Sequence, residues 1–497
     1  MNGEKWLSQE RVRRALWTSA MTLLFLAVGH GFGYLNLIYS GSGVMVDAFL
    51  GRAAQITAGR WAQPLYWMVR GGISAPLLVG LLSGVYLAAS AALVATVLHI
   101  EGRPALTLLA GALCLHPAVL AINAAALNVA DAKLLALFLC LLGAALSARG
   151  RWLLLPAAVC WGTGAALEPD MVSAGVALVV LVALRDLLSE KPAGTALRTL
   201  LRGLLTLAAG TALYLLGWML FARRAGIACT PVLCPPIGAQ SGGLFGAWLE
   251  PVGSYLHPTT AYRALGGLLG ALMLAGGFAL LALLAARLPR RKAALALALA
   301  LLLPLAVNLP AWGTEAARGT GSTLAYAFLT VAAIMVFDSA YAHVHAIRAA
   351  FGAGMGILLL SAVIFSNQVY LKKNLEQQST LSLMTRVVDR IERTEGYDPG
   401  YTPVVLLGSM EDSPLSVPRF GFEAVEEFDA ASNRFAADGV EQNTWYMWEI
   451  LGYPANMASQ YETLSIAQSE EGRAMPTFPA EGSCRMLDGY MVVKLSD

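Results

Sequence analysis

Seven ionisable residues stand out because they interrupt a chain built mostly of long apolar blocks: Asp47, Arg52, Arg60, Asp131, Lys133, Glu168 and Asp170. Charge at membrane depth is costly and marks a functional site by default. Threading the blocks alternately across a bilayer brings all seven to one side. Arg52 follows Asp47 by five residues, and Arg60 comes eight beyond that. A carboxylate near two guanidiniums suits a sugar-phosphate substrate. The carboxylate takes a proton from an acceptor hydroxyl, and the arginines grip phosphate oxygens bidentately. The same residues also suit a solvated interfacial loop with snorkelling arginines. Asp131 and Lys133 open the fourth block, as substrate ligands or as a helix N-terminal acid with an interfacial lysine. Glu168-Pro169-Asp170 is a tight turn: a plain surface reversal, or two carboxylates facing an outer cavity, one of them able to bind a metal or orient a substrate. Trp61 and Trp248 belong to an aromatic belt or stack on a sugar ring. His30, inside the first block, reads as a packed or hydrogen-bonded histidine.

The elements that must position these residues follow from composition. Of 497 residues, 57% are hydrophobic and 13% charged. A soluble globular chain carries about 25% charged residues, so most of this surface must face lipid. The net charge of +2, with no basic stripe, excludes a nucleic-acid partner. No cysteine or histidine spacing fits a zinc site. Cys114, Cys140 and Cys160 lie in apolar blocks and read as packing residues. Cys229 and Cys234 flank a turn in a long loop; outside the cytoplasm they would form a disulfide, otherwise they stay free thiols. Cys484 is left over.

A membrane helix needs about 20 apolar residues. The blocks at 15–38, 73–98, 104–123, 132–147, 152–168, 170–185, 200–220, 262–286, 293–311, 322–338 and 349–369 give about eleven spans. The first is too long for a cleaved signal and should remain as a span. Lys and Arg concentrate at the N-terminus and in alternate links, which puts the N-terminus in the cytoplasm. An odd number of spans then places residues 370–497 outside. Two long loops, about 39–72 and 221–261, fall on that outer side. The expected architecture is an α-helical multi-pass domain, 1–369, followed by a small α/β domain, 370–497. In the latter, Leu383, Val387, Val388 and Ile391 repeat at helical spacing, P-V-V-L-L-G at 403–408 reads as a buried strand, 445–452 as a helix closed by Gly452, and 485–495 as a hairpin around Asp488-Gly489. No P-loop or G-x-G-x-x-G accompanies them.

These features together resemble the bacterial glucosyltransferase II family, linked to O-antigen glucosylation and similar in architecture to the GT-C membrane glycosyltransferases. The resemblance rests on Asp47, Arg52 and Gly59-Arg60-Trp61 between two apolar blocks, the run of short hydrophobic helices, and the 403–408 and 445–454 segments. The chain departs from the family pattern twice. Asp47 stands between Val46 and Ala48 where two adjacent acids are common, and Leu167-Glu168 replaces a Tyr-Gln pair. Glu168 is therefore a candidate from its chemistry alone. The resemblance implies transfer of a hexose, glucose by family, from a polyprenyl-phosphate carrier to a surface glycan outside the cytoplasm. It implies a bacterial inner-membrane location, no organic cofactor, a divalent metal as an open option, and a flippase and a donor synthase as partners. On that reading Asp47 is the catalytic base, and Arg52 and Arg60 bind the lipid phosphate. From their own chemistry, Trp61, Asp131, Lys133, Glu168 and Asp170 are the further candidates for the substrate site. The rival readings are a transporter or lipid-linked sugar flippase, for which no internal symmetry is found, and a scaffold whose outer carboxylates can be replaced freely.

Overall fold

The computed structural model describes residues 9–37, 52–125, 127–189, 191–224, 226, 243–255, 263–309, 319–408, 422, 425–430 and 440–497. The chain divides into two compact units. One ends at Asn367 and also includes Phe428–Ala430; the other comprises the remaining described residues from Gln368 onward, with Asn36 and Leu37. Asp47, the Cys229/Cys234 pair, His257 and Trp312 lie outside the described residues.

The first unit is all-helical. Its chain begins with α1 (Gln9–Asn36), the short α2 (Arg52–Thr57) and α3 (Gln63–Arg70), then α4 (Pro76–Leu98). There follow α5 (Arg103–Cys114), α6 (Pro117–Ala125), α7 (Leu127–Arg149), α8 (Leu154–Leu167), α9 (Val172–Leu188) and α10 (Ala193–Arg224). After these come α11 (Gly243–Gly253), α12 (Arg263–Ala285), α13 (Arg290–Val307), α14 (Ala327–Val336) and α15 (His345–Glu392), the last continuing into the second unit. Pro117, which has no N–H to donate, separates α5 from α6. The α5 N-terminus is capped from a distant element: Asp338 accepts from the backbone N–H of Glu101 at 2.7 Å and of Gly102 at 3.1 Å.

Among the described residues, nine helices are long and apolar enough to cross a membrane, which makes this a multi-pass membrane protein. Two expected spans are not among them. Helix α8 has 14 residues, about 21 Å at 1.5 Å per residue, against a hydrocarbon core of about 30 Å. Helix α13 opens on Arg290-Arg291-Lys292 and contains Pro304. Lipid-facing surface is clearest on α10, where Leu197, Leu201, Leu204 and Leu205 form one exposed apolar stripe.

Helix α7 sits at the centre, packed on α4, α8 and α9. The contact of α8 with α10 depends on small residues. A side chain at Gly162 would meet the Gly210 carbonyl at 2.9 Å, and one at Gly210 would meet Ala158 O at 2.9 Å. Backbones can approach this closely only where side chains are missing.

The second unit carries a three-stranded sheet of β1 (Val404–Leu407), β2 (Cys484–Leu487) and β3 (Tyr490–Lys494), in the order β1-β3-β2. The hairpin turns at Asp488 and Gly489, both at positive φ, as a type I′ turn requires. Strand β1 adds in parallel, Val405 opposite Val492. Helices α16 (Val440–Trp445), α17 (Gln460–Gln468) and α18 (Glu470–Ala474) belong to this unit. Ser459 and Glu462 form a capping box at the start of α17. The expected strand at 403–408 and the hairpin are both present. The expected helix at 445–452 begins earlier: α16 starts at Val440 and, from Tyr446 to Ile450, continues as a π turn that brings the chain to Gly452 at φ 65°.

Candidate functional site

Over its described residues, the first long loop (39–72) forms the two short helices α2 and α3. Gly59 turns the chain at φ 80° and ends α2. The next residues dock on the end of α8: Ala62 N–H donates to Ala166 O at 3.1 Å and Gln63 Nε2 to Leu167 O at 2.8 Å. A pair of tryptophans fastens the segment to α10. Trp61 donates its indole N–H to Tyr214 O at 3.2 Å and stacks on Phe221 with centroids 5.0 Å apart. Trp218 donates to Ile56 O at 3.2 Å. Gly217 leaves the room in which the Trp61 ring lies.

Between these anchors Arg60 is aimed at the α8 terminus. Its Nε donates to Glu168 Oε1 at 3.0 Å. Lys133 Nζ, from α7, approaches the other oxygen, Glu168 Oε2, at 3.1 Å. The Glu168 side chain is 1% exposed, so its charge persists only because two cations answer it. Asp170, in the 3₁₀ turn Pro169–Met171, shares the field of Arg60, Lys133 and Glu168, with Ser322 beside it. Burial opposes the charge on Arg60, but Glu168 and Asp170 outweigh it and hold the guanidinium above its ordinary range. The result is a four-residue array with two positive and two negative groups, supplied by the α2–α3 link, the α7 helix and the α8–α9 link.

Asp131 does not join this array. The apolar pattern predicts that it opens a helix; α7 in fact begins at Leu127, so Asp131 lies a full turn inside. Two residues along a helix is about 200° of rotation, and Lys133 therefore faces another neighbour. Asp131 accepts from Arg70 Nη1 at 2.7 Å, Tyr66 Oη at 2.8 Å and its neighbour Ala132 N–H at 3.0 Å. Both charged side chains of the Arg70–Asp131 pair are fully buried. Burial first, and then the Asp131 charge, push the Tyr66 phenol far up, keeping it a neutral donor. Arg70 and Tyr66 are functional-site neighbours that the sequence pattern did not single out. Their signal was there: Gln63, Tyr66 and Arg70 fall on one face at helical spacing.

Arg52 opens α2, exposed and without an ion pair among the described residues. His30 is fully buried, and its Nε2 donates to Cys114 O at 3.0 Å. Trp248 donates to Leu301 O at 2.9 Å. Among the described residues, no group of three or more His, Cys, Asp or Glu side chains is placed to hold a metal ion.

A cavity of about 480 Å³ lies beside the array, large enough for one small ligand. The 3₁₀ segment Thr320–Tyr326 separates the two. Its Ser322 stands next to Asp170, while its Thr320 and Thr323 line the cavity. The remaining wall is largely apolar, with Leu274, Phe351 and Met355, and His116 among the polar groups. His116 Nδ1 accepts from Ala118 N–H at 3.2 Å, which leaves the ring proton on Nε2.

Comparison with known proteins gives one family. The profile described as glucosyl transferase GtrII matches residues 45–337, a stretch that includes Asp47, Arg52 and all four members of the array. No curated protein and no solved structure matches the chain.

Proposed function

The chain belongs to the glucosyl transferase GtrII family, and on that premise we propose that it moves glucose from a polyprenyl-phosphate carrier to a glycan acceptor on the extracytoplasmic face of a bacterial inner membrane. One observation carries the proposal: Arg60 and Lys133 are held by a buried carboxylate at one end of the helix bundle, next to a largely apolar cavity. Paired cations suit a phosphate, and an apolar hollow within the helices suits the carrier's hydrocarbon chain. A lipid-linked donor can enter sideways from the bilayer, so no nucleotide fold is required.

The chemistry assigns each group a task. An acceptor hydroxyl attacks the anomeric carbon, and the bond from that carbon to the phosphate oxygen breaks. The phosphate leaves with the electron pair. Asp47 takes the hydroxyl proton, an assignment that rests on its place in the sequence. Arg60 and Lys133 stabilise the charge growing on the leaving phosphate. Glu168 orients both cations, and Asp170 hydrogen-bonds sugar hydroxyls. Asp131 positions α3 through Arg70, and Trp61 holds the Arg60 segment on α10. The N-terminus is cytoplasmic and the second unit extracytoplasmic, where it helps hold the acceptor.

The test is turnover by the purified chain with a panel of polyprenyl-phosphate hexoses and a surface glycan acceptor, read by mass spectrometry. Release of polyprenyl phosphate from the glucosyl donor is expected. Folded protein that releases none from any donor, with acceptor present, contradicts the reading.

A further inference from the structure

Two large aromatic residues of the second unit stand out in solvent: Tyr401 is 81% exposed and Trp448 55%, although tryptophan is highly buried on average in folded chains. They come from two segments, 395–402 and 446–457, which the fold joins. The hydroxyls of Tyr397 and Tyr453 share a hydrogen bond at 2.9 Å. Asn456 Nδ2 donates to Tyr401 O at 3.2 Å, and Val404 N–H, at the start of β1, donates to Asn456 O at 2.7 Å.

Both rings stand on fixed backbone. Trp448 donates its indole N–H to Ala455 O at 2.8 Å, so the ring face is what it has left to offer. Tyr401 sits in a turn closed by its own N–H, which donates to Asp398 O at 3.2 Å, and by Asp398 N–H, which donates to Thr402 Oγ1 at 3.0 Å. The same two segments carry three exposed carboxylates, Glu395, Asp398 and Glu449, none with an ion pair among the described residues. They contain no lysine or arginine, and no Leu, Ile, Val or Met in them is exposed. Arg393, the nearest cation along the chain, pairs with Asp389 at 2.7 Å.

This combination selects the occupant. The core of a protein interface is depleted of charged residues, and an anionic bilayer surface attracts Lys and Arg, whereas here the rings are accompanied by unpaired carboxylates. A sugar ring suits both features. Its C–H face packs on an aromatic ring, and the hydroxyls at its edge donate to carboxylate oxygens. Acidic sugars would be repelled by the same carboxylates. We propose that Tyr401 and Trp448 form a binding platform for a neutral glycan, each ring stacking on a sugar and Asp398 and Glu449 accepting from its hydroxyls. The glycan's role as the acceptor rests on the proposed function; its binding does not.

The experiment places the full chain, in detergent, on an array of neutral bacterial oligosaccharides and of uronic-acid-containing ones of matched length. Bound protein is read by fluorescence. The wild type should be retained by neutral oligosaccharides and not by acidic ones. Trp448→Ala and Tyr401→Ala should each weaken that retention about tenfold, and Trp448→Phe should keep most of it. Melting temperatures should match wild type, because both rings are exposed. Hydrolysis of polyprenyl-phosphoglucose by the wild type, with no acceptor present, is measured beside it as a readout of the transfer chemistry. Glycan binding that follows the rings without any hydrolysis would uphold this site and contradict the proposed function. Retention of no neutral oligosaccharide, or a preference for acidic ones, would overturn the proposal. Binding unchanged in both alanine variants would also overturn it, leaving the rings to the membrane interface or a protein partner.

Discussion

Each buried charge has a different job, and burial decides which. The Arg70 and Asp131 side chains are both fully buried and bonded to each other at 2.7 Å, which fits a structural lock between α3 and α7. Removing one partner strands the other, at a cost of about 3–5 kcal/mol. Asp131→Asn should therefore lower the melting temperature in detergent far more than the double variant Arg70→Met/Asp131→Leu. Equal melting of the two would show that the pair is not coupled. Arg60 is different, because its side chain keeps 27% exposure and can reach a ligand. Arg60→Gln should reduce sugar transfer by about 10²–10³-fold, and Arg60→Lys should recover part of it, with melting little changed. A loss of stability matching the loss of activity would make Arg60 structural instead. The sequence made these charges visible as a set, because each breaks an apolar block. It did not sort them into pairs, since Asp131 and Lys133 diverge only once α7 starts at Leu127.

Among the elements, the close contact of α8 and α10 sets the site, since α8 ends at Glu168 and α10 holds Trp61. Gly210→Leu would place a side chain against Ala158 O and the Trp161 side chain. Overpacking of this kind costs about 1–3 kcal/mol and should separate the helices. The expected result is a lower melting temperature together with weaker transfer, whereas Gly226→Ala, at the end of the same segment with open space around it, bears only its own strain and should leave transfer intact. Wild-type transfer in Gly210→Leu would show that the contact does not set the site. The long apolar helices were legible from composition. Helices α2 and α3 were harder: α2 has only six residues, and the helical spacing of Gln63, Tyr66 and Arg70 in the eight-residue α3 spans just two turns, a signal easily passed over inside a loop. The block at 152–168 was visibly short for a span, and α8 is shorter still because Trp152 and Leu153 belong to the preceding 3₁₀ turn.

For the whole molecule, membrane class and the hairpin of the second unit could be read directly, because both arise from local patterns. The parallel pairing of β1 with β3 could not, since it joins Val404 to Met491 and nothing local specifies so distant a partner. The pairing of Glu168 with cations from two different elements escaped for the same reason. The family match covers the first unit's array and stops at residue 337, and the proposed function accordingly gives the chemistry to the helical unit and acceptor recognition to the remainder. Exchange of the second unit for that of a relative with another acceptor should change which glycan is glucosylated while donor use stays the same.

The most direct test compares wild type with Asp47→Asn, in detergent, supplied with polyprenyl-phosphoglucose and a glycan acceptor. Release of polyprenyl phosphate should be abolished in the variant while expression and melting temperature match wild type. Near-normal release from Asp47→Asn would remove Asp47 as the base and contradict the proposed mechanism.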